Sequence, residues 1–199
     1  MSKKIVAIVG SYRKEGTIDA AVEAILAGAR ERGAATHTIY LTEQHIEFCR
    51  NCRTCTQEPG AKRHKCPHHD DMEPILEEIE AADAVVLGSP VNCGNVTAIF
   101  RRFLERLLGS FYWPWGQPAP KLRKVPSKRK AVLVASSAMP GPMIPLFTGT
   151  MGALRLTAKA LHAKPVGRMC IGLSSGEVHH ALSARRLARA RRLGMRLAA

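Results

Sequence analysis

The stretch KIVAIVGSYRKEGT, residues 4–17, runs from small and β-branched apolar residues into a short polar turn, and the fold is decided there. Lys4–Gly10 has the continuous apolar character of a strand covered on both faces. The helical pattern after it places Val22, Ile25, Leu26 and Ala29 on one side. Strand, tight polar loop and helix then recur along the chain. Gly33 closes the first helix, Thr36–Leu41 reads as a second strand, and 42–70 is irregular. Asp70 or Asp71 caps a helix predicted over 72–82, with Pro74 in its first turn and Ile75, Leu76 and Ile79 facing inward. Ala84–Gly88 is the third strand, and Val96, Ile99, Phe100, Phe103, Leu104 and Leu107 stripe the helix after it. A Pro- and Lys-rich connection, 109–129, leads to a fourth strand, Ala131–Ser136. A helix near 148–162, a fifth strand Val166–Leu173 and a last helix over about 178–197 complete the pattern.

Five strands separated by helices imply an α/β fold, a parallel sheet with helices on both faces. Ligands of such sheets sit beyond the carboxyl ends of the strands, where strand order reverses. The chemistry is therefore expected in the loops at 10–18, 89–95 and 136–143, all rich in Gly, Ser or Pro.

With 199 residues, 46% hydrophobic and 23% charged, the chain has the composition of one soluble globular domain. Disorder is excluded on composition, and no apolar run approaches the eighteen residues of a membrane span. The first apolar run, Ile5–Gly10, is too short for the core of a secretion signal, so the expected location is cytoplasmic and no membrane partner is expected. The net charge of +14 is lopsided: residues 1–80 hold 11 basic and 13 acidic side chains, residues 81–199 hold 19 and 3. Anionic cofactors, nucleic acid or a solvated arginine-rich helix would each account for it.

In the first loop, backbone N–H groups at a helix N-terminus favour a phosphate. Ser11 and Thr17 add hydroxyls, Gly16 belongs to the same loop, and Arg13 can make a forked contact with phosphate oxygens. The loop is neither a G-x-G-x-x-G dinucleotide fingerprint nor a Walker A loop.

GSYRKEGT at 10–17, together with GSPVNCGNVTAIFRRFLER after the third strand, resembles the flavodoxin-like NADPH-dependent FMN reductases and iron–sulfur flavoproteins. The resemblance implies a doubly wound five-stranded sheet of order 2-1-3-4-5, with a Cys-rich insertion at about 42–70 and an aromatic, basic loop at about 109–129. It also implies FMN, NAD(P)H as co-substrate, and assembly as a homodimer or homotetramer. Two residues depart from the family pattern: Ile18 stands at a usual hydroxyl position, and Asn92 where an aromatic commonly lies near the flavin. An isoalloxazine needs close backbone approach, apolar contact and a few directed donors. Ser89, Pro90, Val91, Asn92, Cys93, Gly94, Asn95 and Val96 offer that combination, with Ser137, Ala138, Met139 and Gly141 approaching from the next strand.

Four of the six cysteines, Cys49, Cys52, Cys55 and Cys66, fall within eighteen residues, and Pro67 follows the last. Three thiols at ferredoxin-type spacing and a fourth further on suit a 4Fe–4S cluster. The iron–sulfur flavoproteins carry a compact cluster motif in this region, with a shorter last gap than the ten residues here. Zinc bound by these thiols and His64, His68 or His69, or no metal at all, are the alternatives. Cys93 belongs to the second loop and Cys170 to a buried strand.

Phe111, Tyr112, Trp113 and Trp115 crowd one loop, suited to stacking on a ring or to a subunit interface. The arginines at 185, 189, 192 and 196 stripe the last helix, opposite Leu187, Ala190, Gly194 and Leu197. No aromatics interleave with them, which argues against nucleic acid. The sequence thus predicts an FMN-dependent NAD(P)H oxidoreductase serving a quinone, flavin or similar small-molecule acceptor. No side chain is required as nucleophile or general acid, so no catalytic residue is assigned. A non-catalytic iron–sulfur electron carrier and a zinc-stabilised basic nucleic-acid-binding module are the rival readings.

Overall fold

Residues 5–9, 84–87 and 131–135 are all buried, as strands sandwiched between helices must be. The computed structural model describes residues 2–176 and 181–199. Its elements are β1 (Lys4–Val9), α1 (Thr17–Arg30), β2 (Ala35–Tyr40), α2 (Met72–Glu80), β3 (Ala84–Pro90), α3 (Ala98–Glu105) and β4 (Phe111–Tyr112). They continue with β5 (Lys121–Leu122), β6 (Lys130–Ser136), α4 (Ile144–Phe147), α5 (Thr150–Ala160), β7 (Lys164–Ile171) and α6 (Ala184–Ala198).

The five long strands form one parallel sheet of order β2-β1-β3-β6-β7. Counting only these strands, the order is the expected 2-1-3-4-5. The order reverses around β1, so the carboxyl ends of β1 and β3 flank the crevice. One face of the sheet packs Leu76, Ile79, Phe100, Phe103 and Leu154 from α2, α3 and α5. The other packs Ile18, Val22, Ile25, Leu193 and Leu197 from α1 and α6.

Helix α6 lies against α1 with backbones in direct contact. A methyl group at Gly194 would fall 1.7 Å from the Ile25 carbonyl oxygen, and one at Gly28 would fall 2.1 Å from that of Arg191. Ala190, Leu193, Gly194 and Leu197 form the buried stripe. Leu187, expected there, is 37% exposed, and Leu193 takes the place instead.

Element boundaries differ from the sequence pattern where local bonds intervene. The helix after β3 ends at Glu105 and tightens into a 3₁₀ turn, Arg106–Ser110, seating Gly109 under the His64 carbonyl. Asp70 caps α2 by accepting the Met72 N–H (3.1 Å), while Asp71 turns away to the N–H of His45 (2.7 Å). The 109–129 connection carries a short antiparallel ladder, Phe111 opposite Leu122, which no sequence period announces. The fifth long strand runs Lys164–Ile171, two residues earlier than expected. The last helix was expected from 178; residues 177–180 lie outside the described residues, and the described helix starts at Ala184, capped by Ser183.

Because neither backbone can yield, Gly194→Ala is expected to cost roughly 2–3 kcal/mol through overpacking. The melting temperature measured by calorimetry should fall by roughly 4–12 °C.

Candidate active site and cysteine segment

A single buried threonine ties together the loops at the carboxyl edge. Thr97 caps α3 by accepting the Phe100 N–H (3.2 Å) and donates its hydroxyl to the Gly10 carbonyl (2.6 Å). Its own N–H donates to Ser89 Oγ (3.2 Å). The loop after β6 joins through Val91 N–H, which donates to the Ser136 carbonyl (2.8 Å). Gly10 is forced by the same packing, since a methyl there would lie 2.6 Å from the Phe100 ring.

Asn92 and Asn95 exchange backbone hydrogen bonds of 2.8 and 2.9 Å across Cys93 and Gly94, which have φ of 46° and 75°. Two successive positive φ values make a sharp primed turn, and Cys93 stands exposed at its tip. Gly149 N–H donates to the Gly94 carbonyl (2.8 Å), fixing the turn against the start of α5.

The first turn of α1 has no side-chain cap, because Gly16 occupies the N-cap position. Its N–H groups therefore point outward as an anion cradle. Arg13 is exposed, with no ion-pair partner among the described residues, whereas Lys14 pairs with Glu43. Thr17 lies half-buried at the mouth.

Several predicted contact residues also hold the frame of the loops. The Ser11 hydroxyl closes on its own loop, donating to the Arg13 carbonyl (2.9 Å) and accepting the Arg13 N–H (3.2 Å). Ile18 is buried against Gly88 and Val96 lies in the core, so each offers the loop only backbone. The Ser89 hydroxyl is spent on Thr97 and the Pro90 carbonyl, and Ser137 Oγ accepts the Met139 N–H (3.2 Å). Asn95 Oδ1 accepts the N–H of Val96 (2.8 Å). Gly141 is pressed against the Cys170 carbonyl, where a methyl would come within 2.5 Å. Pro90, Val91, Asn92, Cys93, Gly94, Ala138 and Met139 keep at least partly accessible surfaces on the loops.

Two residues near the site were not singled out from the sequence. Tyr12 bridges the first two loops, its hydroxyl accepting the Ile99 N–H (3.3 Å). Asp19 sits in the first turn of α1 and accepts the Glu15 N–H (2.6 Å), while its other oxygen is buried without a hydrogen-bond partner among the described residues. Burial raises its pKa above the usual carboxylate range. An acid at a helix start is ordinary in a sequence, and only the fold shows that this one shares the cradle.

The cysteine segment is held chiefly by guanidinium groups. Arg53, in the left-handed region at φ 59°, is sandwiched between Trp113 and Trp115 at 3.8 and 4.1 Å from the ring centres. Arg106 is buried, paired with Asp70 and donating to the Glu47 carbonyl (2.8 Å). Arg123, 3% exposed, donates to the carbonyls of Gly109 (2.9 Å), Glu58 and Gly60 (3.0 Å each) and Cys55 (3.3 Å). The aromatic loop therefore clasps Arg53 in this structure, a use that the sequence did not suggest.

Cys49, Cys52 and Cys66 all lie close enough to Cys55 to act on it. Burial first, and then these three thiols, push the Cys55 pKa up to about 11. Cys52 is exposed and shifted down, chiefly because Thr54 Oγ1 donates to its sulfur at 3.4 Å. Among the described residues no three His, Cys, Asp or Glu side chains converge as a single metal ion requires. A zinc ion would draw thiolates to roughly 3.8 Å from one another, from its tetrahedral 2.3 Å bonds. Four neighbouring cysteines are also the donor set of a four-iron cluster, which is larger and holds its thiolates further apart.

Residues 3–138 match the family described as NADPH-dependent FMN reductase. The chain belongs to that family. It is 35% identical over 103 residues to an iron–sulfur flavoprotein of Methanocaldococcus jannaschii, covering 52% of this chain and 51% of that protein. It is 33% identical over 105 residues to an iron–sulfur flavoprotein of Archaeoglobus fulgidus, covering 53% and 46%. The chain thus spans about half the length of the curated relatives it matches. In fold it resembles an NAD(P)H:quinone oxidoreductase from Methanothermobacter marburgensis (TM-score 0.71, 20% identity, 99% and 100% coverage). A similar likeness links it to an FMN-dependent NADH-azoreductase from Bacillus anthracis in complex with FMN (TM-score 0.72, 10% identity, 100% of both chains). This reductase-family chain has no described helix long and apolar enough to cross a membrane.

Two outcomes test this geometry. In metal-free, reduced protein, brief iodoacetamide treatment at pH 8 should label Cys52 well before Cys55, as read by peptide mass spectrometry. Burial works against the Asp70 charge, but Arg106 and the Glu47 and Met72 N–H groups outweigh it and hold its pKa below the ordinary value. Its contribution to stability is therefore full above the unfolded carboxylate pKa of about 3.9 and is lost as pH falls through the lower folded value. Asp70→Asn should flatten that acid limb in urea titrations at successive pH values.

Proposed function

We propose that this chain binds FMN across its three carboxyl-edge loops and passes electrons from NAD(P)H to a quinone, flavin or similar small acceptor. One observation carries the reading. Loops from three adjacent strands are bonded edge to edge by Thr97 and Val91, and beside them stands a helix start without a side-chain cap and Arg13, which has no ion-pair partner among the described residues. FMN, when bound, supplies the hydride and electron chemistry that no side chain of this chain offers.

The residues bind and orient. Gly16, Thr17 and the backbone N–H of Ile18 hold the phosphate, with Arg13 adding a forked, charge-assisted contact. Asp19 opposes that charge and limits affinity. Pro90, Val91 and Met139 give apolar contact to the ring, and Gly94 lets the backbone approach it. Asn92, whose side chain is free of internal bonds among the described residues, directs a donor at the polar edge. The basic excess of residues 81–199 draws anionic cofactors toward the chain.

Cys49, Cys52, Cys55 and Cys66 are the proposed ligands of an iron–sulfur cluster, in keeping with the printed names of the relatives. The supporting observation is the buried positive charge around them, which suits a group of negative charge. Assembly as a homodimer or homotetramer belongs to the same proposal. An apolar groove of about 450 Å³ between the ends of α3 and α5, lined by Leu104, Leu107, Leu108 and Leu156, supports it.

The first experiment is a visible spectrum of anaerobically purified protein with iron and sulfide assays, followed by NADPH. Flavin bands that bleach on NADPH support the reductase. Bands that bleach only with dithionite make the chain an electron carrier, and a colourless protein that takes up no FMN overturns the reading. Arg13→Ala should weaken FMN binding roughly tenfold, and Asp19→Asn should tighten it, both read from quenching of flavin fluorescence.

A further inference from the structure

Four arginines lie about the cysteine segment, and their charges are answered differently, Arg63 being paired with Glu73 and Glu80. Arg106 faces Asp70 in a bidentate pair, so the two together are neutral. Arg53 spends its charge on the faces of Trp113 and Trp115 and on the carbonyls of Trp113 and Pro114. Arg123 meets four backbone carbonyls, the Tyr112 ring at 5.9 Å, and no carboxylate within ion-pair distance among the described residues. A buried charge with only neutral acceptors is costly unless an anion lies close. The anionic candidate beside it is the cysteine group, which includes Cys55, the residue whose carbonyl Arg123 already holds.

We propose that Arg123 is the fixed counter-charge of the group carried by Cys49, Cys52, Cys55 and Cys66, and that it raises that group's reduction potential. The inference rests on the iron–sulfur reading above. Reduction adds one electron and breaks no bond, so the group becomes more negative by one charge. A buried, always protonated guanidinium beside it stabilises the reduced form more than the oxidised form. Arg106, already neutralised by Asp70, contributes position at Cys66 but little net field.

The test is an anaerobic redox titration of the purified holoprotein, with dithionite as reductant and dye mediators. It is followed by visible absorbance and electron paramagnetic resonance, with iron and sulfide counted on every sample. Arg123→Gln is expected to retain its iron and to shift the ratio of reduced to oxidised group at least tenfold toward oxidised at a given potential. For one electron that is about 59 mV downward. Arg123→Lys, which keeps the charge, should shift much less, and the flavin couple in the same sample should stay in place. Where Arg123→Gln fails to fold or loses iron, Tyr112→Glu neutralises Arg123 without removing its hydrogen bonds and should give the same downward shift. An unchanged potential with full iron in either variant overturns the proposal and reduces Arg123 to a scaffold. Wild-type protein without iron or sulfide overturns the iron–sulfur reading itself, an outcome that the metal assay separates from the first.

Discussion

The hydrogen bonds from Arg123 to the carbonyls of Cys55, Glu58, Gly60 and Gly109 bear on everything around the cysteines. Residues 44–70 belong to no strand and contain only one 3₁₀ turn, so their buried carbonyls have almost no ladder to satisfy them. A guanidinium is the one side chain with five donors in a rigid fork, able to serve several carbonyls at once. Arg53 and Arg106 repeat the device at Trp113, Pro114 and Glu47. The order of the segment is thus maintained by buried positive charge placed beside the cysteines.

The same accounting explains the contrast with the carboxyl-edge loops. These loops are short and lie between regular elements, so a few hydroxyls and glycines suffice. Thr97 satisfies Gly10, Phe100 and, through its own N–H, Ser89. What is left over is a row of N–H groups at the start of α1 and an exposed turn at Cys93 and Gly94. A phosphate and a ring edge suit those leftovers because, among the described residues, only Asp19 competes for them.

The order of elements was legible because Ile5–Val9, Ala84–Leu87 and Ala131–Ala135 are continuous apolar runs, and such runs allow little besides buried parallel strands. The positions of the three loops followed from that order alone. The division of labour within the loops was not legible. Ser11, Ser89 and Ser137 look like ligand donors in a sequence, and only the fold shows that each hydroxyl also bonds the chain's own backbone. Ile18 and Val96 hold loop positions in the chain, yet their side chains point into the core. The β4–β5 ladder escaped because two paired residues on each side carry no period.

The two irregular stretches, 42–70 and 109–129, read as separate interruptions of an otherwise regular chain, and each alone lacks the apolar pattern of a folded unit. In space they complete one another. Trp113 N–H donates to the Thr56 carbonyl (2.9 Å), Trp113 and Trp115 enclose Arg53, and Arg123 reaches back to Cys55, Glu58 and Gly60. The exchange runs both ways: the first stretch gives carbonyls to Arg123 and the Arg53 guanidinium to the aromatic faces of the second, which returns the Trp113 and Pro114 carbonyls. Part of the basic excess of residues 81–199 is therefore buried and internally engaged, Arg106 and Arg123 being the clearest instances. A surface reading of the net charge overstates what remains for an outside polyanion. The buried part, Arg123 foremost, lies within the cysteine segment and out of solvent, where salt screens it least.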